Sequence, residues 1–164
     1  MPACNVIISI PDVYYYILYE NYILRDNCIM RKENTSEEFV IGDIVPLLHS
    51  EGATNMKEGL YDLAFVLDGQ VYRLSVQNIP TVILEKKVPF PEERPYDFEV
   101  AAKRANDRQS AVKVCVNRED GCITMAIAMI NPSVEYFSKT FRELIIALDS
   151  TEVVIDGLYE SAIY

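Results

Sequence analysis

The sequence predicts an α+β domain in which helices cover one antiparallel β-sheet. Two hairpin patterns carry this prediction, because apolar segments flank Asp68-Gly69 in the first half of the chain and Asp120-Gly121 in the second. Asp-Gly between two apolar segments is a strong hairpin signal. Segments with apolar residues at helical spacing follow both hairpins, and a sheet buries one face under such helices.

The composition is that of a soluble globular protein. The chain has 164 residues, 50% of them hydrophobic and 24% charged, and a chain of this length buries roughly 70% of its unfolded surface as one domain. We predict a single domain over residues 36–164. Residues 1–35 form an N-terminal extension of uncertain structure packed on it.

The charge balance limits the class of partner. There are 25 acidic and 15 basic residues, which give a formal net charge of −10. Binding of DNA or RNA requires clustered Lys and Arg, so no nucleic-acid partner is expected. The negative charge is compatible with a cationic or partly unfolded protein partner.

Metal, cofactor and membrane sites are not expected. The four cysteines include no CxxC pair and there is one histidine, so zinc-ligand spacing is absent. The longest apolar run, Val13–Tyr19, is far shorter than the ~20 residues of a membrane helix. No secretory signal is visible, and the cytoplasm is the expected location.

The N-terminal region is the hardest part of the pattern to interpret. Residues 5–10 alternate weakly and are compatible with a first strand. Residues 12–25 are crowded with Tyr, Ile and Leu, and both helix and strand remain open there. Residues 22–32 alternate, which favours a strand.

A short helix is expected at residues 43–50, with Asp43 as its N-cap and Pro46 tolerated in its first turn. Gly52 ends it. His49 falls at the C-terminal end of this helix, where a histidine interacts favourably with the helix dipole. We therefore interpret His49 as structural rather than catalytic.

Strands follow at 60–67, 70–77 and 81–88, and the proline-rich residues 86–95 connect them to a second block. In that block, Asp97 is expected to cap a helix over 98–108. The second hairpin has strands at 110–117 and 122–130, joined by a turn at 118–121.

Asn131-Pro132 opens a closing helix that runs to residue 148. We expect Asp149-Ser150-Thr151 to interrupt this helix before a further helical turn or two.

The two faces of the last strand differ in size. Ile123, Met125, Ile127 and Met129 alternate with the small side chains of the same strand, and alternate residues point to opposite faces. The large side chains should meet the closing helix through residues such as Phe141. The small side chains should lie against a second helix or another subunit.

These elements resemble a known family. Ala101-Ala-Lys-Arg-Ala-Asn-Asp-Arg108, then Ala111-Val-Lys-Val-Cys-Val-Asn-Arg-Glu-Asp-Gly121, then the strand 123–130 are similar to the YbjN-type domain. That domain shares its sandwich with the class I type III secretion chaperones. The resemblance covers residues 43–150 and implies the order α-β-β-β-α-β-β-α after an extra N-terminal segment. It also implies a homodimeric, non-enzymatic, chaperone-like module.

Candidate interface residues come from three features. Tyrosine is enriched at interfaces, small strand residues permit close packing, and the acidic C-terminal segment carries apolar side chains with no evident cover. The candidates are Tyr14, Tyr16, Tyr19, Thr124, Ala126, Ala128, Tyr136, Leu158 and Tyr159.

A protein-binding or chaperone-like module that acts through apolar sheet and helix surfaces is therefore the favoured function. A small enzyme or ligand-binding protein with a pocket between sheet and helices is the alternative, and a structural subunit of a larger assembly is another. No catalytic residues are assigned, because the sequence has no G-x-S-x-G and no phosphate-binding glycine loop. Glu119-Asp120 could be a carboxylate pair for metal binding or acid–base chemistry. We interpret these residues as part of the hairpin turn instead, because Asp-Gly supplies the positive φ that such a turn needs.

Overall fold

The computed structural model describes residues 6–10, 13–17, 39–77, 81–108 and 111–162. Its main element is a six-stranded antiparallel sheet with the strand order β3-β4-β5-β6-β8-β7. The strands are β3 (Thr54–Glu58), β4 (Asp62–Leu67), β5 (Gln70–Gln77), β6 (Thr81–Pro89), β7 (Lys113–Asn117) and β8 (Cys122–Ile130).

Three helices accompany the sheet. A 3-10 turn at Ile41–Ile44 leads into α1 (Val45–Ser50), α2 spans Pro95–Arg108, and α3 spans Val134–Ser161. Helix α3 lies over β6 and β8, and α2 packs against both α3 and β7. Before them, β1 (Val6–Ile10) and β2 (Val13–Ile17) form a separate two-stranded sheet.

The core lies between α3 and one face of the sheet, which we call the helix-covered face. The side chains that β8 presents there, Ile123, Met125, Ile127 and Met129, are all buried. Phe141 of α3 packs on Phe65 of β4, with ring centroids 6.1 Å apart. Helix α3 also contacts β8 on this face, so the expectation that the large residues of the last strand face the closing helix is confirmed, whereas the ring contact of Phe141 is with β4.

The opposite face of the sheet, which we call the second face, is buried at its centre. Ile83 of β6 pairs with Ala128 of β8. Because successive side chains of a strand point to opposite faces, both of these side chains point away from α3. Ile83 is nevertheless 4% exposed and Ala128 0% exposed. The expected cover was a second helix or another subunit, whereas the structure places strand β2 beside β8.

One strand was missed. Sequence analysis expected three strands between the first two helices, but the structure has four, because Thr54–Glu58 pairs with β4. Four of its five residues are exposed, so no alternation of buried and polar residues marks it. Edge strands with little burial have weak sequence signals.

Helix starts differ from the expected caps. The N-cap of α1 is Ile44, with no side-chain cap hydrogen bond, and Asp43 lies in the preceding 3-10 turn. Helix α2 begins at Pro95 rather than after Asp97, since proline is favoured in the first helical turn. The N-cap of α3 is Ser133, whose Oγ accepts a hydrogen bond from Tyr136 N–H at 3.0 Å.

The expected interruption at Asp149-Ser150-Thr151 is wrong, because α3 is continuous over 28 residues. The Thr151 hydroxyl donates to the Ala147 carbonyl at 2.8 Å. Thr151 thus bonds to a carbonyl within the helix, and the Asp149 carboxylate binds Lys86 on the sheet instead of a local backbone N–H.

The structure tests part of what was expected of the N-terminal region. The possible first strand at residues 5–10 corresponds to β1, and β2 settles residues 13–17 of the ambiguous segment as a strand. The strand expected at 22–32 lies outside the described residues. The boundary between extension and domain at residue 35 stays a prediction.

Replacing Phe141, which is 1% exposed, tests the core. We expect Phe141→Ala to lower the free energy of unfolding by ~3–5 kcal/mol, because it leaves a cavity between α3 and β4. Chemical denaturation measures the loss, with Tyr96→Ala as the control, because Tyr96 is an aromatic residue of α2 that is 70% exposed. A loss below ~1 kcal/mol for Phe141→Ala would contradict this placement.

Candidate protein-binding surfaces

The structure brings together two of the predicted interface groups within one chain. Thr124 is half-buried, and Ala126 and Ala128 are buried, all on the second face. Strand β2, which lies beside β8, carries Tyr14 and Tyr16 at register positions opposite Ser9 and Ile7. Tyr19 lies outside the described residues.

The predicted residues on α3 have intrachain contacts. Tyr136 is half-buried in the first turn, and Leu158 packs at the margin of the core. The hydroxyl of Tyr159 donates to the Glu93 carbonyl at 2.6 Å, and the Arg94 guanidinium lies 4.7 Å from its ring centroid. Tyr159 therefore fixes the proline-rich connection against α3.

Among the residues whose burial the structure describes, the largest apolar exposure is at the tip of the β3–β4 hairpin. Leu60 is 84% exposed and Tyr61 is 63% exposed. Gly59 N–H donates to the Asp62 carbonyl at 2.7 Å, and a Cβ on Gly59 would lie 2.0 Å from Asp62 Oδ1. A side chain at position 59 would therefore displace the Asp62 carboxylate, and the turn presents two large apolar side chains to solvent. This site was not predicted, because Leu60 was placed as the first residue of the strand expected at 60–67.

The two edges of the sheet are not equivalent. At one edge, Val114 N–H of β7 donates to Asn106 Oδ1 at 3.0 Å, and α2 packs alongside. At the other edge, β3 is mostly exposed and its register shifts between Thr54 and Lys57. We call β3 the open edge, and the Leu60-Tyr61 tip directly follows it.

A second exposed apolar strip lies on the side of α3 that faces away from the sheet, which we call the outer face of α3. Ile146 is 61% exposed and Val153 is 69% exposed. Ser150 and Gly157, at helical spacing from them, are also exposed. The outer face thus combines apolar side chains with small residues.

A buried lysine holds α3 on the sheet. Lys86 of β6 is 3% exposed on the helix-covered face, with Nζ 2.9 Å from Asp149 Oδ1 and 2.5 Å from Glu152 Oε2. Tyr72 OH donates to Asp149 at 2.6 Å. Burial opposes the Lys86 charge, but the hydrogen bonds to both carboxylates outweigh it and raise the pKa of Lys86. Burial, with help from Asp149, raises the pKa of the Tyr72 hydroxyl.

Other charges on and near α3 are also coupled. Arg142 contacts the Glu51 carboxylate and lies 3.3 Å from Asp68 Oδ2, which ties α3 to the end of α1 and to the β4–β5 turn. Further along, burial and then the neighbouring Glu152 raise the pKa of Asp156. The C-terminal part of α3 is therefore an acidic surface.

A buried carboxylate links α2 to the late hairpin. Glu99 is 5% exposed, and its oxygens lie 2.6 Å from Arg118 Nη2 and 2.5 Å from Lys103 Nζ. The hydrogen bonds from Arg118 and then Lys103 lower the pKa of Glu99 to about 2. The ion pair between Glu99 of α2 and Arg118 of the β7–β8 turn therefore fixes that turn against α2.

Among the described residues, the charged clusters around Lys86, Arg142 and Glu99 each connect one helix to a strand, a turn or another helix. No group of three or more His, Cys, Asp or Glu side chains there is arranged to hold a metal ion. His49, at the end of α1, is exposed. No helix in the described ranges has the length and hydropathy needed to span a membrane.

The lowered pKa of Glu99 predicts an acid-dependent loss of stability. Because its folded pKa of about 2 lies below the ordinary value of 4.5, the pair stabilises the fold above pH 4.5 and the contribution disappears as the pH falls towards 2. Glu99→Gln should therefore lower stability at pH 7, and its difference from the parent protein should shrink over that acidic range. Chemical denaturation at several pH values measures this, with exposed Glu143→Gln as the control. A difference that stays constant with pH would contradict it.

Comparisons with known proteins identify the fold. No family model and no curated protein matches the chain. The crystal structure of YbjN from E. coli, proposed to be a transcription regulator, superposes with a TM-score of 0.57 at 9% identity over 77% of this chain and 97% of YbjN. A chain of the HopA1–SchA chaperone–effector complex superposes with a TM-score of 0.50 at 10% identity, over 74% of this chain and 98% of its own length. The chain therefore adopts the YbjN-like fold of the type III secretion chaperones.

Proposed function

We propose that this protein is a non-enzymatic, chaperone-like module that binds a segment of a partner protein. The observation that carries the proposal is the Leu60-Tyr61 tip beside the open edge. Large apolar side chains at 84% and 63% exposure, next to an accessible strand edge, are typical of a surface that is covered in a complex.

The mechanism would be strand addition. An extended partner segment hydrogen-bonds to the outward backbone groups of β3, and its apolar side chains bury Leu60 and Tyr61. The opposite edge, β7, is less suited to strand addition, since Val114 N–H already donates a hydrogen bond to Asn106 Oδ1. The register shift in β3 and the charge of Lys57 discourage indiscriminate pairing with other strands.

Two further facts support a protein partner over other functions. The net charge of −10 disfavours nucleic acid, and the described buried charges of Lys86 and Glu99 are each satisfied by structural partners. One protein of this fold, in the HopA1–SchA structure, is solved as a chaperone–effector complex. We place the activity in the cytoplasm.

The double substitution Leu60→Ser/Tyr61→Ser tests the binding surface. Quantitative pull-down from the native cell, followed by titration of the recovered partner, should show at least a tenfold loss of affinity because the apolar contact is removed. Val71→Ser, at a position on β5 that is 61% exposed, is the matched control. Equal binding by the double variant and the parent protein would overturn the proposal.

We also propose that the protein is a homodimer that pairs through the outer face of α3. Antiparallel pairing about Ser150 would bury Ile146 and Val153 of both copies. It would also bring Arg142 of one copy towards the acidic C-terminal turns of the other. Such a two-fold arrangement uses the same patch on both subunits.

Sedimentation equilibrium across a wide concentration range tests the dimer. We expect a mass of two chains for the parent protein and of one chain for Ile146→Glu/Val153→Glu, because four carboxylates would meet at the interface. Val71→Glu, at an exposed position on β5, is the control and should stay dimeric. A mass of one chain for the parent protein at every concentration would refute dimerisation.

A further inference from the structure

The two halves of α3 are held to the domain by different interactions. The first half begins at the Ser133 N-cap and carries Arg142, which is paired with acidic residues at the end of α1 and in the β4–β5 turn. The buried residues of the first half are Phe137, Phe141, Leu144, Ile145 and Leu148, and those of the second half are Thr151 and Ile155. Apolar burial therefore anchors residues 134–148 more firmly than residues 149–161.

The second half of α3, residues 149–161, is a weak helix by itself. Glu152, Asp156 and Glu160 repeat at i, i+4 spacing, at which like charges destabilise a helix. Burial and then repulsion by Glu152 and Glu160 raise the pKa of Asp156. The last turn has no basic residue to offset the helix dipole, and Gly157 in the helix interior disfavours the helix further. Tertiary contacts must therefore hold this half in helical form.

The polar and aromatic contacts of the second half are concentrated at its two ends. At its start, Lys86 Nζ lies 2.9 Å from Asp149 Oδ1 and 2.5 Å from Glu152 Oε2. Near its end, the ring of Tyr159 packs edge-on against Phe98, with the ring centroids 5.5 Å apart. The pairing with Lys86 is therefore the main polar attachment of this half to the sheet.

The junction between the halves has the composition of a helix end. Asp149, Ser150 and Thr151 are residue types that bond readily to local backbone. In the docked arrangement, the Asp149 carboxylate accepts hydrogen bonds from Lys86 and from Tyr72 OH instead. Loss of these bonds frees the carboxylate to bind a local backbone N–H, which allows the helix to break at this point.

We propose that residues 149–161 form a latch, which opens as one unit at the Asp149–Thr151 junction while residues 134–148 stay docked. Lys86 holds the latch closed. Such an opening is a local unfolding event, of the kind by which limited parts of native proteins open without global unfolding. It uncovers Lys86 and the Phe98 ring, both of which are 3% exposed when the latch is closed.

Opening of the latch changes the outer face of α3. Val153 belongs to the latch and Ile146 belongs to the first half, so these two exposed apolar side chains separate when the latch opens. The pairing of two copies proposed above uses both side chains, and the latch would therefore regulate that pairing. This consequence rests on the proposed dimer, whereas the latch itself does not.

Amide hydrogen exchange of the full-length chain, followed residue by residue by NMR, tests the latch. We expect residues 153–159 to share one protection factor, at least tenfold below that of residues 141–148, with a step at the junction. Fraying from the C-terminal end would instead give protection that declines gradually along the helix. Exchange of the latch amides should depend little on urea below the unfolding transition, because the opening exposes little surface.

Two matched substitutions identify the group that holds the latch. Glu152→Gln removes one carboxylate partner of Lys86 and should lower the protection of the latch amides at least threefold. Glu160→Gln makes the same chemical change at a residue that is not paired with Lys86, and it should cause no loss.

A third substitution tests whether the latch opens independently of the domain. Phe137→Leu trims a buried ring in the first half of α3 and should lower the protection of residues 141–148 through global stability. The latch amides should keep their protection in this variant, because Phe137 has the same contacts whether the latch is open or closed.

Four results would overturn the inference. Both halves would have equal protection, the two glutamate substitutions would have equal effects, or the latch amides would follow residues 141–148 in Phe137→Leu. In the fourth case, latch protection would fall on tenfold dilution, because a second copy of the chain rather than Lys86 would then hold the segment. Leu60→Ser/Tyr61→Ser should not alter exchange of the latch, so failure of the strand-addition proposal is read separately.

Discussion

The buried charge of Lys86 constrains the whole arrangement of α3 on the sheet. Lys86 of β6 pairs with Tyr72 of β5 on one side and with Met125 of β8 on the other, on the face that the helices cover. An unpaired ammonium in that position would cost several kcal/mol. Asp149 and Glu152 of α3 satisfy it, so this pairing helps to fix where along its length α3 crosses the sheet.

The same interaction explains the main error of the sequence analysis. Asp149-Ser150-Thr151 has the composition of a helix end, since such residues often bond to local backbone. The partner that removes this tendency, Lys86, is 63 positions away. By contrast, β5 and β8 were predicted with their observed bounds, because Asp-Gly turns and apolar periodicity are local signals.

The surfaces were predicted less well than the fold. The N-terminal tyrosines and the small residues of β8 were predicted as interface residues from residue type alone. No local sequence pattern indicates that β2 and β8 are neighbours. Leu60 was predicted as the first residue of a strand because its hydrophobicity fits one, whereas the structure places it in the turn between Gly59 and Asp62, exposed to solvent. The role of the predicted interface residues in a complex stays a prediction.

The pairing of β6 with β8 has a consequence for synthesis of the chain on the ribosome. Strand β6 is interior, and its first four residues are buried, but Cys122 of its partner strand lies 33 positions after Pro89. At about 5–20 residues per second, translation leaves β6 without that neighbour for about 2–7 s. During this interval the nascent meander β3–β6 presents an apolar edge at β6, and the late hairpin closes it only when β8 emerges. Slow translation between these strands would prolong the period in which nascent chains can aggregate.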